Sequence, residues 1–150
     1  MTQTLPDLLR LLAGCWDLVE AAFTRPDGTT FEPWGPEPAG TFIVTLRGDF
    51  SAHVMRRSRE RFASELQPAP DEKQRAYDEY LGYFGEVEKL DAQTGTLTLR
   101  VGGAINPNWV GGEQVRHVEV IDDDHIVLRT PPISIGGTEL VGKLAWARRR

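Results

Sequence analysis

The sequence predicts an all-β fold: an eight-stranded antiparallel up-and-down barrel, with a short N-terminal helix and one helix inserted between strands three and four. Segments with period-two apolar alternation recur along the chain, and glycine, proline and aspartate separate them. Long connections also alternate with short ones. The predicted strands cover residues 16–23, 41–47, 50–56, 83–90, 96–101, 114–121, 125–130 and 138–147.

The lengths of the connections predict a cup. Long connections follow strands one, three, five and seven, and tight turns follow strands two, four and six. In an up-and-down barrel, alternate connections lie at opposite ends. One end should therefore carry all the long loops, where function usually lies, while short Asp/Gly turns close the other end.

Two helices are expected beside the strands. The first precedes Gly14 and carries an apolar stripe of Leu5, Leu8, Leu9 and Leu12. The second begins at Pro70 and Asp71. We expect it to cover the barrel with an apolar face made of Ala76, Tyr77, Tyr80 and Leu81.

Bulk properties narrow the function classes. The chain has 150 residues, which predicts one domain over 1–150, and its formal net charge of −5 argues against a nucleic-acid partner. Cys15 is the single cysteine, so no internal disulfide is expected. We expect no signal peptide and no membrane span, and hence a cytoplasmic protein. The histidines lack metal-ligand spacing, so we predict neither a metal nor another cofactor.

Several motifs resemble the bacterial lipocalin-like domain family of calycin-type β-barrels. Gly14, Cys15 and Trp16 match the G-x-W signature of lipocalins. The segments 32–36, 51–55, 76–85, 106–111, 114–116 and 130–132 fit the family pattern over nearly the whole chain. The T-D-Y motif of secreted lipocalins is absent and the inserted helix is extra. The resemblance implies that Trp16 closes the narrow end of the barrel, with Arg148 packed on its ring by a cation–π contact.

Alternating side-chain direction predicts which residues face the cavity. Glu20, Tyr83, Gln114, Arg116 and Thr130 should point inward near the mouth. An apolar pit should lie below them, formed by Leu18, Val120, Ile126, Leu144 and Trp146. The mouth loops add Trp34, Asn106, Asn108 and Trp109.

Strand three is ambiguous in the sequence. The family pattern favours an inward orientation for Ser51, His53 and Met55, although Ala52 and Val54 would then face outward. His53 would be a general base near neutral pH if it faced the cavity.

The sequence predicts binding of a small apolar or amphipathic metabolite inside the barrel. The expected ligand-binding residues are Glu20, Trp34, Ser51, His53, Met55, Tyr83, Asn108, Trp109, Gln114, Arg116 and Thr130. Several of them have a structural alternative: Glu20 and Arg116 could form an ion pair across the barrel, Tyr83 could be a core residue, and Trp34 and Trp109 could anchor their loops.

The alternative function is an isomerase, cyclase or dehydratase of secondary metabolism that uses the same cavity. Its acid–base residues would be Glu20, His53, Tyr83 and Arg116. A homodimer formed through outward apolar residues is compatible with either function.

Overall fold

The computed structural model describes residues 4–150, and the elements below lie in that range. The helices are α1 (Leu5–Leu12) and α2 (Pro70–Asp78), with one turn of 3₁₀ helix at Pro107–Trp109. The strands are β1 (Gly14–Thr24), β2 (Thr30–Phe31), β3 (Ala39–Val44), β4 (Asp49–Met55), β5 (Tyr80–Asp91), β6 (Thr96–Ala104), β7 (Glu113–Asp122), β8 (His125–Arg129), β9 (Ile133–Ile135) and β10 (Thr138–Arg148).

The sheet closes into a barrel because β1 pairs with both β3 and β10. All pairings are antiparallel, and the order of the strands is β2-β1-β3-β4-β5-β6-β7-β8-β10-β9. Among residues 4–150, eight long strands form the wall, and the short β2 and β9 extend it within two of the long connections. The predicted closed antiparallel barrel is confirmed, but β2 and β9 were missed.

The two ends of the barrel differ as the connection lengths predict. The turns β3–β4, β5–β6 and β7–β8 are short and lie at the end that contains Trp16. The connections that contain β2, α2, the 3₁₀ turn and β9 lie at the opposite end. The long-loop end is therefore the open end.

Helix α1 packs under the closed end. Thr4 caps its N-terminus: the threonine hydroxyl accepts a hydrogen bond from the Asp7 backbone N–H at 3.3 Å. Leu8, Leu9 and Leu12 are at most 5 % exposed because they face the strands above them. Three of the four leucines of the predicted stripe therefore attach the helix to the barrel, whereas Leu5 is 36 % exposed.

Trp16 and Arg148 close this end. The Trp16 ring is 1 % exposed, and its Nε1 donates to the Leu12 carbonyl at 2.9 Å. The Arg148 guanidinium lies 4.2 Å from the centre of the Trp16 ring. It also donates to the carbonyls of Leu11 and Ala13, at 2.9 and 2.6 Å. Arg148 thereby satisfies carbonyls that the end of α1 leaves without intrahelical partners, and the packing implied by the lipocalin resemblance is observed.

Gly14 is required for this arrangement. Its φ is +131°, and a Cβ built on it would lie 2.9 Å from Nη1 of Arg148. A side chain here would strain the backbone and displace the guanidinium. The first residue of the G-x-W signature thus makes room for the arginine.

Arg149 and Asp17 add a second link between the ends of β1 and β10. The Arg149 backbone N–H donates to the Cys15 carbonyl at 2.8 Å, and its guanidinium donates to the Asp17 carboxylate. This hydrogen bond lowers the pKa of Asp17 below its ordinary value.

Helix α2 differs from its prediction. It ends at Asp78, so Tyr80 and Leu81, expected on its apolar face, lie in β5. No α2 side chain is buried, because after this loss the helix retains little apolar surface. No residue of α2 lines the barrel cavity, so the helix does not cover it. Among the helices of residues 4–150, none is long and apolar enough to cross a membrane.

We expect Arg148→Met to lower the free energy of unfolding by about 2–4 kcal/mol, because it removes a cation–π contact and three charge-assisted hydrogen bonds, to the carbonyls of Leu11, Ala13 and Asp123. Arg150→Met is the control: its side chain is 70 % exposed, so its pairing with Asp124 should contribute less than about 1 kcal/mol. Equilibrium urea unfolding measures both. Equal losses would show that Arg148 does not stabilise the closed end.

Candidate functional site

A cavity of about 550 Å³ occupies the open half of the barrel. This volume lies in the range of small-molecule sites, roughly 300–1,000 Å³. Most of the lining is apolar. The lining residues are Phe23, Trp34, Phe42, Ala52, Val54, Leu81, Tyr83, Asn106, Trp109, Gln114, Arg116, Leu128, Thr130, Ile133, Ser134, Ile135, Leu144 and Trp146.

The floor of the cavity is an aromatic pair halfway down the barrel. The rings of Phe42 and Trp146 lie 5.7 Å apart, and both residues line the cavity. Large side chains fill the interior beside and below this pair. Trp16, Leu18, Leu97, Leu99 and Ile126 are at most 6 % exposed.

The apolar pit predicted from the sequence is therefore only partly correct. Leu144 and Trp146 do line the cavity, whereas Leu18 and Ile126 are packed into the filled base. Val120 pairs with the buried Ile126 and so shares its inward face, but it is 58 % exposed beside α1 and does not line the cavity.

Strand β4 corresponds to strand three of the sequence analysis, and its burial pattern shows which of its residues face inward. Phe50, Ala52 and Val54 are at most 4 % exposed, and the last two line the cavity. Because alternate side chains point to opposite faces, the inward orientation expected for Ser51, His53 and Met55 was wrong. Burial of the three apolar side chains determines which face of β4 points inward, and the family pattern predicted the opposite face.

On the outer face, His53 lies between two hydroxyl groups. Its Nε2 is 2.9 Å from Oγ of Ser51, and its Nδ1 is 2.6 Å from Oη of Tyr80. These bonds give the imidazole a structural setting outside the cavity. Within residues 4–150, no three His, Cys, Asp or Glu side chains are grouped to hold a metal ion.

Glu20 also points away from the cavity, contrary to expectation. In the register between β1 and β10, Leu18 pairs with Trp146, but Glu20 pairs with Ala145. Val19 is the extra residue of a β-bulge, which reverses the alternation after it. Ala21 is fully buried and takes the inward position that the alternation predicted for Glu20.

Because of this bulge, the Glu20 carboxylate lies 3.7 Å from Nζ of Lys143 on the outside. The ion pair considered between Glu20 and Arg116 does not form, since the two side chains lie on opposite faces of the wall.

Tyr83, Gln114, Arg116 and Thr130 line the cavity, as the alternation predicts. Tyr83 is 8 % exposed, and its ring lies 5.1 Å from that of Trp109 in an edge-on contact. The Thr130 hydroxyl accepts a hydrogen bond from the Gly142 backbone N–H at 2.7 Å, which leaves its own proton free to donate.

The mouth is bordered by three of the long connections. Trp34 packs edge-on against Phe23 at 6.2 Å, and Trp109 lies on the 3₁₀ turn. Asn106 lines the cavity, but Asn108 does not. The backbone N–H of Asn108 donates to Oδ1 of Asn106 at 3.0 Å, so that the Asn106 side chain caps the 3₁₀ turn. The prediction that Asn108 lines the cavity was therefore wrong, because this segment presents Asn106 and Trp109 to the cavity instead.

Strand β9 contributes lining residues that were not predicted. Ile133, Ser134 and Ile135 border the mouth and pair with the start of β10. An isoleucine–serine–isoleucine alternation directly before the Gly136–Gly137 turn is a hairpin signal, and it could have been recognised in the sequence.

The tryptophans should differ in their access to a soluble quencher. Trp34 and Trp109 are partly exposed at the mouth, whereas Trp146 is 3 % exposed. We expect Trp34→Phe and Trp109→Phe each to lower the Stern–Volmer constant for acrylamide. Trp146→Phe should raise it, because the remaining emission then comes from more accessible rings. A decrease for Trp146→Phe would contradict the buried floor.

A family model described as a lipocalin-like domain matches residues 13–149. No curated protein matches the chain. Similar solved structures include a de novo designed fluorescence-activating β-barrel (14 % identity, 95 % of this chain, 98 % of that chain, TM-score 0.46). They also include a redesigned β-barrel (13 % identity, 95 % and 94 % covered, TM-score 0.41). From the family match over most of its length, the chain belongs to the family of lipocalin-like domains.

Proposed function

We propose that this protein binds a small, mostly apolar molecule in the open half of its barrel. The observation that carries the proposal is the cavity of about 550 Å³ with a largely apolar lining. Apolar surface transferred from water into such a cavity contributes roughly 25 cal/mol per Å². The aromatic floor and the aliphatic walls supply that contact.

The polar groups of the lining are suited to orienting a ligand. The side chains of Tyr83, Gln114, Arg116 and Thr130 can donate hydrogen bonds into a lining that is otherwise mainly apolar. A few placed donors in an apolar cavity give a ligand one preferred orientation. The ligand is therefore amphipathic, with its apolar part against the floor and its polar end on these donors.

The long connections are suited to covering the ligand. Trp34, Trp109 and β9 reach the mouth from separate connections. The rings of Trp34 and Trp109 and the two isoleucines of β9 can shield an apolar ligand from water, while the rigid wall of the barrel stays unchanged.

The geometry favours binding over the acid–base enzyme. Of the four residues expected to move protons, Glu20 and His53 lie outside the cavity, so neither can reach a ligand there. Tyr83 and Arg116 remain, and the hydroxyl and the guanidinium are both hydrogen-bond donors that can bind a ligand oxygen. A cytoplasmic location and a role in secondary metabolism stay predictions from the sequence.

The apolar fluorophore N-phenyl-1-naphthylamine tests the proposal. We expect its emission to rise on saturable binding to one site. Ala52→Phe should abolish this rise, because Ala52 lines the cavity between Phe42 and Tyr83 on the neighbouring strands, so that an added ring fills the space. Fluorescence titration measures both proteins.

Ser51→Phe is the matched control, because it adds the same ring to the outer face of the same strand. It should bind the fluorophore like the unmodified protein. Loss of binding in both folded variants, or in neither, would contradict a site inside the barrel.

A further inference from the structure

We propose that the natural ligand carries an anionic oxygen group, a carboxylate or a similar oxyanion, and that Arg116 binds it. This inference rests on the proposed function, since it concerns the polar end of a ligand held in the same cavity. The observation behind it is a positive charge in the cavity wall that has no negative partner among residues 4–150.

The position of Arg116 is determined by the pairing of β7 with β6. Arg116 pairs with Leu97 and Gln114 pairs with Leu99, and these leucines are at most 1 % exposed inside the barrel. Paired residues on neighbouring strands point to the same face. The guanidinium is therefore directed to the inside, where it is half-buried and lines the cavity.

The charge of Arg116 is not compensated by the protein. Its Nη1 donates to the Val115 carbonyl at 2.8 Å, and its Nη2 donates to Oε1 of Gln114 at 3.3 Å. Both acceptors are neutral. Among the residues that the structure describes, no carboxylate lies within 4 Å of this guanidinium, and no Asp or Glu lines the cavity.

Several arginines on the outer surface differ from Arg116 in having a carboxylate partner. Arg100 pairs with Glu88, Arg129 with Glu119, and Arg149 with Asp17. The chain has an excess of acidic residues and a net charge of −5. Carboxylates are therefore abundant outside the barrel, whereas the cavity contains only the opposite charge.

An unpaired charge among apolar groups is unfavourable, and a bound anion would relieve this. A guanidinium has five N–H donors in a planar fork that matches two carboxylate oxygens, and Arg116 uses one on Val115 and one on Gln114. A neutral ligand would leave the charge uncompensated. A cationic ligand would be repelled here, although the net charge of the protein would attract it at long range.

Two further donors can share the anion. Oε1 of Gln114 already accepts from Arg116, so the amide nitrogen of Gln114 is available to a ligand. Within residues 4–150, the Tyr83 hydroxyl makes no hydrogen bond, and Tyr83 lines the same cavity. The wall thus combines one charge with neutral donors, as an oxyanion requires.

Three probes with the same chain but different charge test the inference: octanoate, 1-octanol and octylammonium. Each is titrated at pH 7.5 against protein that holds N-phenyl-1-naphthylamine, and displacement is measured by fluorescence. We expect octanoate to bind about tenfold or more tightly than 1-octanol, because a hydrogen bond to a charged group is strong in a half-buried site. Octylammonium should bind more weakly than either.

Arg116→Gln should bring the ratio of the octanoate affinity to the 1-octanol affinity down to about one, because both probes then meet only neutral donors. Arg116→Lys should retain part of the preference, because it keeps the charge but loses the planar fork. Arg129→Gln is the matched control: it removes the same charge from the outer face of the neighbouring strand, where Arg129 pairs with Glu119. It should leave all three affinities unchanged. Thermal unfolding followed by circular dichroism checks that each variant is folded.

Equal binding of octanoate and 1-octanol to the unmodified protein would overturn the inference without affecting the proposed function. A preference that persists in folded Arg116→Gln would overturn the role of Arg116. If neither the fluorophore nor any of the three probes binds, both the inference and the proposed function are contradicted.

Discussion

The fixed diameter of a closed eight-stranded sheet is the constraint on which this structure depends. Once β1 pairs with both β3 and β10, the wall encloses a space that side chains can fill or that one small ligand can occupy. The size of the inward side chains then decides whether each level along the barrel axis is filled or left hollow. Trp16 and a layer of leucines fill the closed half, whereas smaller residues such as Ala52 and Val54 leave the open half hollow. The cavity thus results from the distribution of volume along the strands.

The two halves of the barrel depend on each other through register. At the closed end, Arg148 joins the last strand to the Trp16 ring and to the carbonyls of α1, which fixes β10 against β1. The bulge at Val19 then determines which residues of β1 face inward above that contact. A rigid base allows the opposite end to carry long connections whose aromatic residues surround a ligand. Stability and binding are therefore assigned to opposite ends of one sheet.

Much of the fold could be predicted from the sequence, because a half-buried strand shows its period directly in its side chains. The predicted positions of the eight long strands and the inward orientation of Tyr83 and Arg116 follow from that period. The difference between the two ends follows from the lengths of the connections. Glu20 was misplaced because a bulge arises from pairing with β10 and leaves no mark in the alternation of β1 alone. The orientation of His53 was predicted wrongly because the family pattern was followed and not the apolar alternation of the strand. Burial of Ala52 and Val54 determines the orientation of that strand. Strand β2 was missed because two residues are too few to show a period, whereas β9 was missed although its alternation before Gly136 and Gly137 is a hairpin signal.

The central claim is a hollow upper barrel above a filled base, and methyl NMR tests it most directly. N-phenyl-1-naphthylamine is added to protein with labelled Ile, Leu and Val methyl groups, and the shifted signals are mapped. The account predicts shifts at Val54, Leu81, Leu128 and Leu144, which line the cavity, and none at Leu97, Leu99 and Val101 in the filled interior. Shifts confined to exposed methyl groups such as those of Leu66 and Val120, or spread through the filled base, would contradict it.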